Sequence, residues 1–507
     1  MSLKLSEILI GEIDAKYELL NNTAQERKAY EGTYYVPSNY QEKDFLEGNS
    51  YFIIGLKGTG KTALLRYLGI NLEDKGYLTK YILYKSQVDQ DQKNDFFTAS
   101  KIEVLDGDEN KSLLNDYTLA WRWFIYRMIV SEYAATDQGK QDETYRNFRD
   151  LVNAPKNSQK AAEFWKFIPK IKKGNIEVGG EFKGIAVKFG LDLEFNETKQ
   201  EVNFAKLIKA MDQQFEKIKI NGPKLFILFD ELEIGLPSNN NYERDCRIVK
   251  DLVLSVEGIN NTARSRQIPV RCIAAIRSEV LLAVSNFGME INKANSLGMK
   301  VSWNNATSDI ITHPLLLLIQ KRIEYSEKVC GMSGKGVWER YFPEMQNGKE
   351  IKEYILHQTW YKPRDVVRLL REIKKAFPNE TMFTHNCFDS IRKEYSTECW
   401  IEVSEELAAT YTTNELSAIR KLLTGMREIF PFSNFKTTLE TRASSYPEIG
   451  ELVRRKTPNQ LIDDLYRVGI LGNTGPKMRF AFRGDPEPDY FSDFIVHPAL
   501  HNVLTIK

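Results

Sequence analysis

Short, mostly apolar runs recur through the first three hundred positions. Residues 50–54, 81–84, 225–229, 270–276 and 299–303 predict five strands, and the unbroken run 225–229 has the pattern of a central parallel strand buried on both faces. Between and beyond them the spacing turns helical. Leucines recur at helical intervals over 63–72, an aromatic-rich helix is expected near 121–133, and helices fill 308–400 with Leu315 to Leu318 and Val366 to Ile373 supplying the apolar faces. Residues 5–20 also read as helical. Alternation is clearest where Ile185, Val187, Phe189, Leu191, Leu193 and Phe195 are interleaved with Ala186, Lys188, Gly190, Asp192 and Glu194. With Ile176 and Val178 before Gly179-Gly180, this predicts a β-hairpin or small sheet whose apolar face needs cover from neighbouring helices or another subunit.

The last hundred residues change character again. Helices are expected at 414–423 and 458–471, the second opened by Thr457 as N-cap with Pro458 in its first turn. Gly469, Gly472-Asn473 and Gly475-Pro476 then mark turns. Met478, Phe480 and Phe482 alternate with Lys477, Arg479 and Arg483, which predicts a strand with a basic outer face. Helices followed by a short hairpin suggest a winged helix, and Arg454-Arg455-Lys456 with the wing could meet DNA phosphates. Asp463, Asp464, Asp485, Glu487 and Asp489 dilute that field, and protein contact or autoinhibition fits the same module.

The candidate chemistry sits at the ends of the predicted strands. Gly55-Leu56-Lys57-Gly58-Thr59-Gly60-Lys61-Thr62 is a complete G-x-x-x-x-G-K-[ST] phosphate loop followed by Ala63, and it lies between a strand and a helix as the motif requires. Its glycines let backbone N–H groups turn inward around an anion at the positive end of the following helix. Lys61 would reach the β- and γ-phosphates of ATP, and the Thr62 hydroxyl would ligate Mg²⁺. The run Leu225-Phe226-Ile227-Leu228-Phe229 ends in Asp230-Glu231, a Walker B pattern: Asp230 for the Mg²⁺ water shell, Glu231 to polarise the attacking water. Glu233 reads as a solvated loop acid or a second carboxylate on the same side. The strand at 270–276 stops at Arg277, either a surface arginine or one that stabilises charge on the γ-phosphoryl oxygens. Asn292-Lys293 precedes the fifth strand. Pro363 and Arg364 open an amphipathic helix, with Arg364 the candidate γ-phosphate reporter and Arg368 one turn on. Lys156 to Lys173, interleaved with Phe164, Trp165 and Phe167, fits an amphipathic helix with a wet lysine face better than a nucleic-acid strand site.

These motifs resemble those of the AAA+ and STAND branch of P-loop ATPases, and are most similar to a group of bacterial stand-alone P-loop ATPases with a C-terminal winged helix. The loop G-L-K-G-T-G-K-T, the strand end F-D-E-L-E, A-I-R-S-E, N-K before a strand ending in Trp303, and K-P-R-D carry the resemblance across scattered blocks of residues 30–380. It implies an α/β fold: a P-loop NTPase parallel-sheet core with an α-helical lid, an inserted α+β element and a C-terminal winged-helix-like domain. The division is a lead-in at 1–45, a core at 46–307 interrupted at about 86–220, a lid at 308–405 and the last domain at 406–507. Also implied are ATP and Mg²⁺, a homo-oligomer, a protein effector partner and a role as a nucleotide-driven switch, in some relatives in antiviral defence. The alternative is a DNA-binding regulator that uses ATP as a conformational clamp, although Glu231 has no task in a pure clamp. One departure stands out: Lys61 and Asp230 are separated by far more chain than a minimal core needs.

Composition adds limits. At 507 residues the chain has room for about three domains. Seventy basic side chains against 69 acidic ones leave a net charge of +1, so any nucleic-acid contact must be a local patch. Five cysteines without C-x-x-C spacing read as reduced thiols, and scattered histidines share no metal-ligand spacing. Residues 1–20 hold no signal-like apolar core and no apolar run is long enough to span a bilayer, so a soluble, cytoplasmic protein without membrane contact is expected.

Overall fold

The computed structural model describes residues 2–84, 117–134, 142–155, 171–172, 175–178, 182–196, 199–232, 242–285, 291–304, 310–332, 335–408, 410–475 and 478–507. The acidic loop at 106–109, the lysine-rich stretch at 156–170, Gly179, Gly180 and Glu233 lie outside them, as do the side chains of Asn292 and Lys293.

In chain order the strands run β1 (Phe52–Gly55), β2 (Leu78–Leu83), β3 (Ile171–Lys172), β4 (Asn175–Val178), β5 (Leu193–Asn196), β6 (Lys199–Asn203), β7 (Leu225–Leu232), β8 (Val270–Arg277) and β9 (Gly298–Lys300). Five of them form a parallel sheet in the order β2-β7-β8-β1-β9. The chain leaves β1 through the helix Lys61–Asp74 and returns at the far edge as β2, so β8 stands between the phosphate-loop strand and the Asp230 strand. That order puts the carboxyl ends of β1, β8 and β7 side by side, where ligands of open α/β sheets bind.

Period-two alternation explains why both faces are covered. Ile53, Phe226, Leu228, Ile273 and Ala275 join one hydrophobic cluster, shared with the helix Lys61–Asp74, the lid helices and the C-terminal region. Phe52, Ile54, Ile227, Phe229, Ala274 and Ile276 face the other cluster, built with helices Tyr117–Ala134, Phe204–Phe215 and Tyr242–Ser265. The helix Tyr117–Ala134 is apolar nearly all round and correspondingly buried. Trp121 sits edge-on to Phe229 at 6.0 Å, and its indole N–H donates to the Ile248 carbonyl at 2.9 Å. Much of the long insertion between Lys61 and Asp230 therefore covers one face of the sheet.

Strands β3 to β6 form a separate antiparallel sheet in the order β3-β4-β6-β5, with Ile176 and Val178 buried as the alternation suggests. The small sheet expected around these residues is thus present, but the continuous strand expected over 185–195 is not formed. Residues Phe182–Phe189 are a helix, and only Leu193–Asn196 is strand. Phe182, Ile185, Ala186 and Phe189 also fall at i, i+3, i+4 and i+7, and packing selects that face, leaving Val187 78% exposed. The lead-in departs from expectation too. In place of a helix over 5–20 there are two single 3-10 turns, Leu5–Glu7 and Ala15–Tyr17, in an otherwise extended segment that buries Leu5, Ile8 and Ile10. The first α-helix is Ala24–Thr33.

Helices Pro314–Val329, Ile351–His357, Pro363–Ala376 and Arg392–Leu407 build the lid. The C-terminal region runs helix Thr413–Leu423, strand Ile429–Phe430, helices Phe432–Ser445, Pro447–Arg455 and Pro458–Arg467, then strands Leu471–Asn473 and Phe494–Val496. The last strand lies antiparallel between the other two. Thr457 caps its helix by accepting from the Gln460 N–H, with Pro458 in the first turn. The basic strand expected at 478–483 shrinks to one bridge, Arg479 opposite Asn473, followed by a 3-10 turn over Ala481–Arg483 that turns Phe480 inward. Among the described residues no helix is long and apolar enough to cross a membrane.

Candidate functional site

At the carboxyl ends of β1, β8 and β7 lies a cleft of about 630 Å³. Lys61, Thr62, Asp230, Glu231, Arg277 and Arg364 all line it, with Lys57, Gly58, Gly60 and Ala63 from the phosphate loop. Six residues chosen from motifs spread over three hundred positions thus meet in one place.

The loop has the backbone its glycines allow. Gly58 and Gly60 take φ of +80° and +89°, and Gly60 leads directly into the helix Lys61–Asp74. A Cβ on Gly58 would come within 3.3 Å of the Arg364 Cβ, so the loop and the first turn of the lid helix are in close contact. The loop is braced from below: the Trp303 indole N–H donates to the Thr59 carbonyl at 2.8 Å, and the Thr59 hydroxyl donates to Leu56 O at 2.9 Å. A Cβ on Gly55 would come within 2.6 Å of the Thr59 hydroxyl, so Gly55 and Thr59 shape the loop together, and the exposed Leu56 supplies its carbonyl. The Lys61 ammonium folds onto that Leu56 carbonyl at 2.8 Å. Burial pushes Lys61 down to about 8; Glu279 and Asp230 work to raise it, Arg277 and Arg364 to lower it.

Asp230 is buried, and burial raises its carboxyl above the usual carboxylate range despite hydrogen bonds from the Glu231 N–H and the Thr62 hydroxyl. The two candidate Mg²⁺ ligands are thus already in contact. A buried carboxylate beside a hydroxyl at the mouth of a phosphate loop fits an ion that keeps most of its ligands from water and substrate phosphates. Glu231 follows at a register shift between β7 and β8, with φ of +57°. A non-glycine residue there is strained, as happens where a side chain is aimed for function.

Two neighbours of the cleft carry no local sequence signal. The first is the N-terminal segment: Glu12 to Lys16 line the cleft, and the Lys16 ammonium meets Glu231 Oε1 at 3.1 Å. The second is Glu402 on the helix Arg392–Leu407. Its carboxylate receives Arg364 at 3.0 Å, Arg368 at 2.7 Å and Lys57 at 3.3 Å. Burial alone would raise Glu402, but Arg364, Lys57 and Arg368 together hold it at about 2. Lys57 also pairs with Glu405, and Arg364 donates to Ile13 O at 3.2 Å. Arg368 is 4% exposed, lies against Asp365 as well, and does not reach the cleft. Among the described residues no group of three or more His, Cys, Asp or Glu is placed to hold a metal by itself.

Part of the expected basic patch of the C-terminal region is paired with acids of the same region. Arg455 pairs with Glu415, Lys456 meets Asp464 at 3.0 Å, and Arg479 meets Asp485 at 3.3 Å.

Comparison with known proteins adds two findings. The FunZ-associated C-terminal helical domain family matches residues 313–402, a span that includes Arg364, Arg368 and Glu402. The chain is also similar to the ORC1 protein of Aeropyrum pernix, solved in complex with DNA, at 12% identity and a TM-score of 0.34, covering 99% of this chain and 96% of that one. At that TM-score the likeness adds nothing to the fold read from the sheet order. No curated protein matches.

Proposed function

We propose that the chain is an ATP-binding and ATP-hydrolysing P-loop ATPase of the AAA+/STAND type, in which nucleotide state shifts the lid and a winged-helix-like C-terminal region. The supporting observation is the convergence of Lys61, Thr62, Asp230, Glu231, Arg277 and Arg364 on one cleft. The glycine loop and the helix start at Lys61 present N–H groups to the phosphates, and Lys61 adds a point charge between β and γ. Thr62 and Asp230 would hold Mg²⁺, which when bound neutralises charge on the β- and γ-oxygens. Glu231 accepts a hydrogen bond from the attacking water and orients it toward the γ-phosphorus. Arg277 and Arg364 stabilise charge on the transferring oxygens.

Calorimetric titration of ATP with Mg²⁺ into the wild type and Lys61→Ala tests the binding half. The wild type should bind in the micromolar range and the variant at least about a hundredfold more weakly, a loss of roughly 2.7 kcal/mol. Equal affinity would remove the phosphate-loop assignment.

A further inference from the structure

We infer that Lys16 is a positioning residue for Glu231, carried into the cleft by an N-terminal strap that is fastened to the lid. The inference rests on the hydrolytic reading of Glu231. The Lys16 ammonium lies 3.1 Å from Glu231 Oε1, and the two side chains are 26% and 13% exposed. Lys16 is itself held: the Asp14 carboxylate accepts from the Lys16 N–H at 3.2 Å, capping the turn Ala15–Tyr17, and its second oxygen lies 3.8 Å from the ammonium. Partial burial works to lower Lys16, yet the hydrogen bond and charge of Glu231, with Asp14 behind, leave it above its ordinary value.

The strap has no α-helix to take up its carbonyls, and lid cations bond several of them. Lys374 donates to Ile8 O at 2.7 Å, Arg371 to Gly11 O at 3.0 Å and Arg364 to Ile13 O at 3.2 Å. Arg322 donates to Ile10 O and meets Glu18 at 3.4 Å. The position of Lys16 is therefore set by the lid, while its ammonium sits on a core carboxylate whose backbone is in a strained bulge. A water-orienting carboxylate must keep its plane fixed, and a cation on Oε1 does that at the cost of a strap that moves with the lid. The arrangement makes correct placement of Glu231 conditional on lid position.

The test is steady-state phosphate release across ATP concentration for the wild type, Lys16→Met, Lys16→Arg, Glu231→Gln and the Lys16→Met/Glu231→Gln double variant, each checked for an unchanged melting temperature. Lys16→Met should lose about tenfold or more in kcat with KM within about twofold, and Lys16→Arg should recover most of it. The double variant should be no slower than Glu231→Gln, because Lys16 acts through Glu231. If Lys16→Met melts early, Lys16→Gln against Lys16→Arg carries the same comparison. Wild-type or higher kcat in Lys16→Met, or a loss that adds fully to that of Glu231→Gln, overturns the inference and leaves the hydrolytic reading in place. No turnover by the wild type, or wild-type turnover by Glu231→Gln, overturns that reading and the inference with it.

Discussion

Lys61 combines burial, a carbonyl contact and a lowered proton affinity. Its ammonium donates to Leu56 O, and burial brings its titration to about 8. Phosphate oxygens favour the charged form, so binding selects protonated Lys61. Below about pH 8 Lys61 already carries that proton before binding and affinity should be flat. Above it, binding must take a proton up, and ATP affinity should fall toward tenfold per pH unit. Calorimetry in two buffers of different ionisation enthalpy, from pH 7 to 9.5, checks both the loss and the proton uptake; constant affinity across that range contradicts it. At this scale the sequence singles out Lys61, Thr62, Asp230 and Glu231, which the fold brings to one cleft, because the phosphate-loop and strand-end patterns have fixed residue types at fixed spacing. It shows nothing of Lys16 or Glu402, whose relevance comes only from where distant chain is brought.

Among elements, the helix Arg392–Leu407 has an unexpected place. Glu402 lies on Lys57 and Arg364, the cations that flank the phosphate loop, so it competes with the anion those cations would otherwise serve. Glu402→Gln keeps the shape and removes the charge. We expect ATP to bind about tenfold more tightly, a gain of roughly 1.4 kcal/mol. Arg368, buried and left with Asp365 as its remaining carboxylate partner, should at the same time lower the melting temperature by a few degrees. Unchanged or weaker binding would contradict the competition. Element identity was legible where one periodicity excluded the other, as in the five core strands and the helix Pro458–Arg467. It failed at 182–196, where the same residues satisfy both periods, and over 5–20, where an extended segment buries apolar residues and has its carbonyls taken by arginine and lysine side chains far along the chain.

Across the whole molecule, the C-terminal region is joined to the segment that delivers Arg364. The Trp360 ring stacks on His497 at 3.9 Å, its indole N–H donates to Gly469 O at 2.9 Å, and His497 Nε2 lies 3.2 Å from Thr359 O. Such a stack contributes about 0.5–1.5 kcal/mol beyond area burial. Movement of Arg364 with nucleotide would be felt directly at this contact. Burial lowers His497 well below its ordinary value, and burial with the nearby Arg483 charge brings His313 and His357 to about 4. The unfolded chain binds these protons near pH 6.5 and the folded chain does not, so stability is full above that pH and is lost as pH falls below it, by up to about 4 kcal/mol per unit for three groups. Melting temperature should drop steadily from pH 7 to 5; a flat profile would contradict the burial of these rings. The pairing of Arg455, Lys456 and Arg479 with acids reduces the basic charge that the DNA-clamp alternative would use. The central claim, that this cleft hydrolyses ATP, is tested most directly by phosphate release from the wild type and Glu231→Gln at saturating ATP and Mg²⁺. The account predicts measurable turnover that falls by about a hundredfold or more in the variant while ATP stays bound; equal turnover in the two proteins would contradict it.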